Sequence, residues 1–430
     1  MMIARGLVGL CFFCLVAWGI SSDRKKFPWR IVVFGLAMQA VLGGLILGTS
    51  LGYQFFESLS GVVQKLIGMA QQGAVLVFGP LADPAAMAEA VGTKQAFIFA
   101  FAGRGLVAII FFSALMAVLY HMGVMQLLVY ALARVMTVVL GVSGAESMAM
   151  AANVFVGQTE APLVVRPYID KMTQSELNAL MTGGFATIAG SVLAVYIGVI
   201  GEDYGPHLLA ASVMSAPAAF LVAKIMLPEQ EESVTRGAVA FRIERTANNL
   251  VEAAANGTTD GLKLWLNVIA MLIAFTGLVA LINWPLEAIG ESSWGAGFPL
   301  LKGLSLQKIF GWVFSPVAWM MGVEGAHDCQ LFGGLLGTKV SVNEFVAFTE
   351  LQSALATETG QGGFEHTRSA QMAAYALCGF ANFASIGIQI GGITPLAPSR
   401  KSDLARLAPR AMLGGAMASW MTATMAGMFL

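Results

Sequence analysis

The chain is predicted to be an all-α polytopic membrane protein of about eight transmembrane helices, with two re-entrant hairpins set in inverted-topology repeats. Three observations predict this. Hydrophobic residues make up 57% of the 430 and charged residues only 11%, against roughly 25% charged in a soluble domain, and mean hydropathy is +0.74. Apolar runs of about 20 residues, the length that crosses a bilayer, recur along the chain. A set of short motifs in the first half returns in the same order in the second. The 49 glycines suit close helix–helix contacts and broken membrane helices, so the embedded part is helical.

Hydropathy places spans near 3–21, 31–50, 96–131, 176–200, 206–228, 261–285, 369–394 and 408–430. The first resembles a secretory signal, but it lacks a small-x-small cleavage site and is followed by Asp23-Arg24-Lys25-Lys26, a stop-transfer flank, so it is expected to be retained. Residues 51–95 mix Tyr53, Phe55 and Phe56 with polar residues and with Pro80 and Pro84, which predicts an interfacial amphipathic helix followed by an external loop. Residues 239–260 read as an amphipathic helix leading into the sixth span. With the cluster at 23–26 on the cytoplasmic side, residues 132–172, 229–260 and 399–410 are cytoplasmic too, and most of the 24 basic residues fall there, as the positive-inside rule requires. Both termini then face outward across the cell (inner) membrane. Residues 1–95 form an N-terminal scaffold, 96–228 and 261–430 the two repeats, and 229–260 a cytoplasmic connector. Net charge is −1, which provides no footprint for nucleic acid. Cys11 and Cys14 have CxxC spacing but sit in an apolar run, where a thiol acts as a small hydrophobe.

The duplication is the most informative feature. Gly141-Val142-Ser143-Gly144-Ala145-Glu146 is echoed by Gly322-Val323-Glu324-Gly325-Ala326-His327, Thr159-Glu160 by Asn343-Glu344, and Gly184-Phe185-Ala186-Thr187 by Gly379-Phe380-Ala381-Asn382. The second block is longer mainly through a polar insert near Thr357–Arg368. Each repeated Glu lies in a stretch of small and polar residues, too polar for a span and suited to a re-entrant hairpin. Such irregular backbone persists at membrane depth only when buried in protein or lining a cavity. One span, one hairpin and two further spans make three crossings per unit, so the second copy is inverted. Inverted repeats with interrupted helices bind substrate and ions near the bilayer midplane, where the repeats meet.

The chemistry follows from that placement. An ionisable group at the centre of a membrane helix costs roughly 2.5–3.5 kcal/mol on insertion scales and marks a functional site, which singles out Glu160 and Glu344. Gln158 and Thr159 add an amide and a hydroxyl, and Asn382 and Ser385 lie three apart on one helix face. Carboxylates accept hydrogen bonds from hydroxyls and amides both donate and accept, so the set suits a neutral, hydroxyl-rich substrate. A phosphorylated one calls for Arg or Lys, and Arg166 and Lys339 are expected at the membrane borders. Gly337-Thr338-Lys339 has the wrong order and spacing for a phosphate loop, which leaves an ion gradient as the energy source. Asn153, Thr159, Thr187 and hairpin carbonyls offer hard oxygens to a small cation; the alternative is a carboxylate that carries a proton. An intramembrane enzyme is disfavoured, because His121, His207, His327 and His366 form no ligand set and are expected to pack or cap.

At Gly157-Gln158-Thr159-Glu160-Ala161-Pro162, Asn343-Glu344-Phe345-Val346-Ala347 and Gly379-Phe380-Ala381-Asn382, the chain resembles the concentrative nucleoside transporter family, over residues from about 96 to the C-terminus. The resemblance implies a homotrimer of eight-span protomers with two opposed hairpins, importing nucleosides with a cation. It also implies that Gln158, Thr159 and Glu160 read the base, that Glu344, Asn382 and Ser385 hold the ribose, and that Val192 and Phe380 line the pocket. The implied sodium site is Asn153, Val156, Thr159, Thr187 and Ile188. In two places the chain departs from the family pattern: Thr187 stands where Ser is common, which keeps a hydroxyl, and Glu324 stands where Pro is common, at the start of the second hairpin.

Overall fold

The computed structural model describes residues 2–82, 86, 106–236, 247–292, 301, 303–357 and 362–430. Those residues are mostly helical, with no strand among them. Three helices open the chain: α1 (Met2–Gly19), α2 (Trp29–Ile46) and α3 (Ser50–Phe78). Thr49 caps α3 by accepting the Gly52 N–H at 3.0 Å, which satisfies one of the donors a helix start leaves open. Ser60, Ile67, Ala70 and Ala74 are the buried positions of α3, a single stripe at helical spacing. A helix thus stands where an interfacial one is expected, and its extent through Ala82 reaches the length and hydropathy of a span. The loop expected after it lies almost wholly outside the described residues.

One order of elements then occurs twice. In the first copy α4 (Ala108–His121) turns into α5 (Val124–Leu140), α6 (Gly144–Asn153) begins a hairpin, and the chain returns through a 3-10 turn, Ala161–Val165, and a one-turn helix, Arg166–Ile169. A broken helix follows, α7 (Gln174–Ala186) and α8 (Gly190–Ile200), and then the continuous α9 (Gly205–Met226). In the second copy the counterparts are α10 (Leu250–Glu291), α11 (Leu306–Met321), the hairpin α12 (Ala326–Ser341) with α13 (Glu344–Ala356), the broken pair α14 (Thr367–Leu377) and α15 (Phe383–Ile393), and α16 (Lys401–Ala426). The repeated Gly-Val motif has a structural cause. Gly141 ends α5 and Gly322 ends α11, both in the left-handed region (φ +73° and +97°) where a glycine meets no Cβ penalty.

Several expected boundaries move. The third span does not run to 131: α4 ends at His121 and the chain bends by 75° into α5, with Gly123 at φ +83° supplying the turn; residues 96–105 lie outside the described residues. The spans expected at 176–200 and 369–394 are each two half-helices. In the second, Gly379 holds φ +138°, which no helix admits, and Asn382 starts α15 by accepting the Ser385 N–H at 2.8 Å. The span expected at 261–285 is part of α10, which begins at Leu250 and is 42 residues long; the 237–246 part of the connector lies outside the described residues. Among the described residues five helical segments reach spanning length and hydropathy, or six when the bent α4–α5 pair counts as one. The apolar part of α1, Ile3–Gly19, is a shorter apolar helix, the α14–α15 span is split, and α16 opens with Lys401, Asp403, Arg406 and Arg410.

The packing separates a core from an outer layer. α7, α9 and most of α16 are buried along nearly their whole length, whereas α10 buries only Ala253, Gly257, Gly261 and Gly290. Gly257 and Gly261 let α10 lie against α4: a Cβ on either would come within 2.6–2.8 Å of the Ser113 carbonyl or the Ile110 Cα. Small residues spaced four apart allow this approach between membrane helices.

Candidate substrate and ion site

The two helix breaks meet at the centre of the core. A Cβ on Gly379 would lie 2.8 Å from the Phe185 carbonyl oxygen and 3.0 Å from that of Ala186, so only glycine lets the α14–α15 break touch the end of α7. Half-helix ends leave backbone donors and acceptors unpaired, and here those ends, with the two hairpin tips, converge.

A continuous hydrogen-bond chain runs through the site. The Gln158 amide donates to Ser385 Oγ (3.4 Å), the Ser385 N–H to Asn382 Oδ1 (2.8 Å), and Asn382 Nδ2 to Glu344 Oε2 (2.8 Å). The Tyr196 hydroxyl donates to the other oxygen of Glu344 at 2.9 Å. Gln158, Asn382, Ser385 and Glu344 are all buried. Gln158 comes from the first hairpin, Glu344 from the second, and Asn382 and Ser385 from α15, so residues far apart in sequence share one chain of bonds. Thr159 packs by its methyl group toward Gly392 of α15. Val192 is buried on α8, one turn before Tyr196, and Phe380 lies half-buried in the α14–α15 break. Glu160 stands apart: it is exposed, at the turn into the second arm, and its carboxylate folds back so closely that a Cβ on Gly157 would sit 2.2 Å from Oε2.

The ion candidates gather beside the first break. Asn153 ends α6, is 1% exposed, and neither of its amide atoms has a hydrogen-bond partner among the described residues. It lies against Gly183, whose carbonyl accepts the Thr187 hydroxyl at 2.9 Å. The Phe155 carbonyl accepts the Gly190 N–H at 3.0 Å, which draws the chain around Val156 onto the Thr187–Ile188 break. A buried polar side chain is normally paired; an unpaired one among carbonyls and a hydroxyl is what a hard cation requires.

Three features escape the sequence reading. Tyr196 carries no motif, and its stacking on Phe348 (centroids 4.4 Å apart) exists only once α8 meets α13. A buried ionic cluster closes the base of the first hairpin: Lys224 pairs with Glu146 at 2.7 Å and donates to Ser175 at 3.0 Å, while Glu176 accepts from Ser143 and Ser233. Its only sequence signal is two capping boxes, Ser143-x-x-Glu146 and Thr173-x-x-Glu176, of the Ser/Thr-x-x-Glu form. Lys339, expected at a membrane border, is fully buried in protein, which its sequence position does not signal. At the base of the second hairpin Arg368 pairs with Glu324 at 2.9 Å and donates to the carbonyls of Gly322 and Gly427, so Glu324 anchors the hairpin where Pro is common. Of the four histidines, His207 meets Tyr375, His327 the Gly363 carbonyl, and His366 contacts Asp328, beside which Glu365 completes a group of three potential metal ligands.

Repeated hairpins and broken helices, with polar side chains pooled where the breaks meet, define a secondary transporter. Three family models match: the Na+ dependent nucleoside transporter C-terminus over residues 207–427, its N-terminus over 8–81, and a nucleoside-recognition gate over 104–203. The chain belongs to the sodium-dependent nucleoside transporter family, and it is a multi-pass membrane transporter of nucleosides rather than an enzyme. It is 43% identical to an uncharacterized transporter of Haemophilus influenzae, over all of this chain and 98% of the other. It is 39% identical to the rat sodium/nucleoside cotransporter 2, over 97% of this chain and 62% of the relative, so it spans under two thirds of that longer protein. Among solved structures it is similar to CNTnw in an inward-facing substrate-bound state (TM-score 0.90, 40% identity, 100% and 98% of the two chains covered).

Proposed function

We propose that this protein imports nucleosides with sodium by alternating access, and the observation that carries the sodium reading is the buried, unpaired amide of Asn153 at the α7–α8 break. Asn153 and Thr187, with carbonyls of Val156 and Ile188 and the hydroxyl of Thr159, form the ion site. Gln158, Thr159 and Glu160 read the base. Glu344, Asn382 and Ser385 hold the ribose, whose hydroxyls replace bonds that these side chains make to one another when no substrate is bound, and Val192 and Phe380 flank it. Because the first hairpin supplies both Asn153 and Gln158, an ion near its tip orders the residues that read the base.

The driving force suffices: one charge moved through 100 mV yields roughly 2.3 kcal/mol, about a fiftyfold gradient, before any sodium gradient is counted. The rat relative is a sodium/nucleoside cotransporter, which favours the same ion here. The protein sits in the cell (inner) membrane with both termini outward, and it works as a homotrimer, with the exposed apolar face of α10 turned to partner copies and lipid.

Uptake of labelled uridine into proteoliposomes tests this directly. Accumulation against the gradient in sodium, and its loss when choline replaces sodium at fixed pH, are the expected results. Uptake that persists in choline and follows pH would establish a proton as the coupled ion instead.

A further inference from the structure

Lys339 is a buried charge that neither the substrate site nor the ion site uses. It is fully buried near the end of α12, and no carboxylate lies within ion-pair distance of it among the described residues. Its ammonium donates to the Ala376 carbonyl at 2.8 Å and to Ser419 Oγ at 2.8 Å. Ala376 belongs to the last turn of α14, so its carbonyl is at the negative end of a half-helix, the kind of end that binds cations in transporters of this architecture. Ser419 is in turn held by the Ala416 carbonyl at 3.0 Å within α16.

The repeat gives this contact its meaning. α12 is the counterpart of α6, α14 of α7 and α16 of α9. In the first copy, the far end of the hairpin arm α6 meets the end of α7 through Asn153, unpaired among the described residues, and the Thr187 hydroxyl. In the second copy, the arm α12 meets the end of α14 through a positive charge tethered to the chain. The correspondence is between elements, not carbonyl by carbonyl.

We propose that Lys339 is a built-in cation of the second repeat, doing between α12 and α14 what a transported ion does between α6 and the α7–α8 break. Lys339 precedes Glu344 by five residues and Ala376 precedes Asn382 by six, so the ammonium joins the two segments that carry the ribose-binding pair. The ribose half of the site is therefore held ready without an ion, and only the base half waits for one. Lys339 is a positioning residue: it touches neither substrate nor ion. This inference rests on the sodium reading of the first repeat.

The test is uridine uptake by the full-length protein in proteoliposomes at saturating sodium, with Lys339→Met and Lys339→Ala. Methionine keeps most of the volume and removes the charge, so a role in packing alone leaves it near normal. The expected result is a uridine KM raised about tenfold or more in both variants, the worth of one charge-assisted hydrogen bond, with partial recovery of Lys339→Ala when methylammonium is added and none with tetramethylammonium, which cannot donate. A KM within twofold of the unmodified protein in Lys339→Met, or a folded Lys339→Ala that methylammonium does not restore, overturns the proposal. Should neither variant fold, Ser419→Ala removes one acceptor only: a severalfold rise in KM supports the proposal and an unchanged KM overturns it. Sodium-independent uptake by the unmodified protein overturns the sodium reading itself, and the analogy with it. Sodium-dependent uptake with a normal Lys339→Met overturns the role of Lys339 alone.

Discussion

Glu344 is held on both oxygens, by Tyr196 at 2.9 Å and by Asn382 at 2.8 Å, and this double hold fixes its rotamer before substrate arrives. Tyr196→Phe removes one donor and keeps the ring stacked on Phe348. It is expected to weaken uridine binding by about 1 kcal/mol, a KM rise of roughly fivefold with the protein fully folded; an unchanged KM would show that Asn382 alone orients the carboxylate. Glu344→Gln and Glu160→Gln are each expected to abolish accumulation while leaving the detergent-extracted protein monodisperse, and near-normal uptake by both would remove them from the site. Gly157→Ala should act like a mild Glu160 variant, since its Cβ would displace the carboxylate that now lies 2.2 Å from that point.

Among the elements, the two hairpins are secured in different ways at their bases. The first relies on Lys224, which is buried with Glu146, whereas the second relies on Arg368, which spans Glu324, Gly322 and Gly427. Removing one partner of a buried pair leaves a bare charge and costs about 3–5 kcal/mol, so Lys224→Met should markedly lower the thermal unfolding midpoint in detergent. A midpoint equal to that of the unmodified protein would mean that Glu146 is compensated by the backbone and Ser143 alone. The hairpins themselves were legible in the sequence from polar stretches around Glu160 and Glu344. The half-helix breaks were not, because 176–200 and 369–394 are apolar enough to read as continuous spans. Composition sets the transfer energy of a segment, whereas its break depends on what faces it: Gly379 adopts φ +138° in contact with the end of α7.

For the molecule as a whole, the buried bundle of α7, α9 and α16 contrasts with α10, which presents Ile273, Leu278, Leu281 and Trp284 to its surroundings. An apolar helix exposed over most of its length faces lipid or a second copy. The trimer reading predicts a protein mass of three 45.2 kDa chains by light scattering with the detergent contribution subtracted, and a single chain retaining full uptake would sink it. Breaking the α10–α4 contact with Gly261→Leu should loosen this outer layer while leaving the substrate network intact.

The sequence by itself determined the membrane class, the duplication and the residues that meet in the site, because scarce charges in an apolar chain and motifs repeated in order are properties of the string alone. It grouped Gln158, Asn382, Ser385 and Glu344, which share one chain of hydrogen bonds, with Glu160, which stands apart and exposed. Only the tertiary structure decided that Tyr196 holds Glu344, that Asn153 is left without a partner among the described residues, and that Lys339 is wholly enclosed by protein. Each of these depends on contacts between segments distant in the chain, where the cost of burying a polar group is met or left unmet by its neighbours in space.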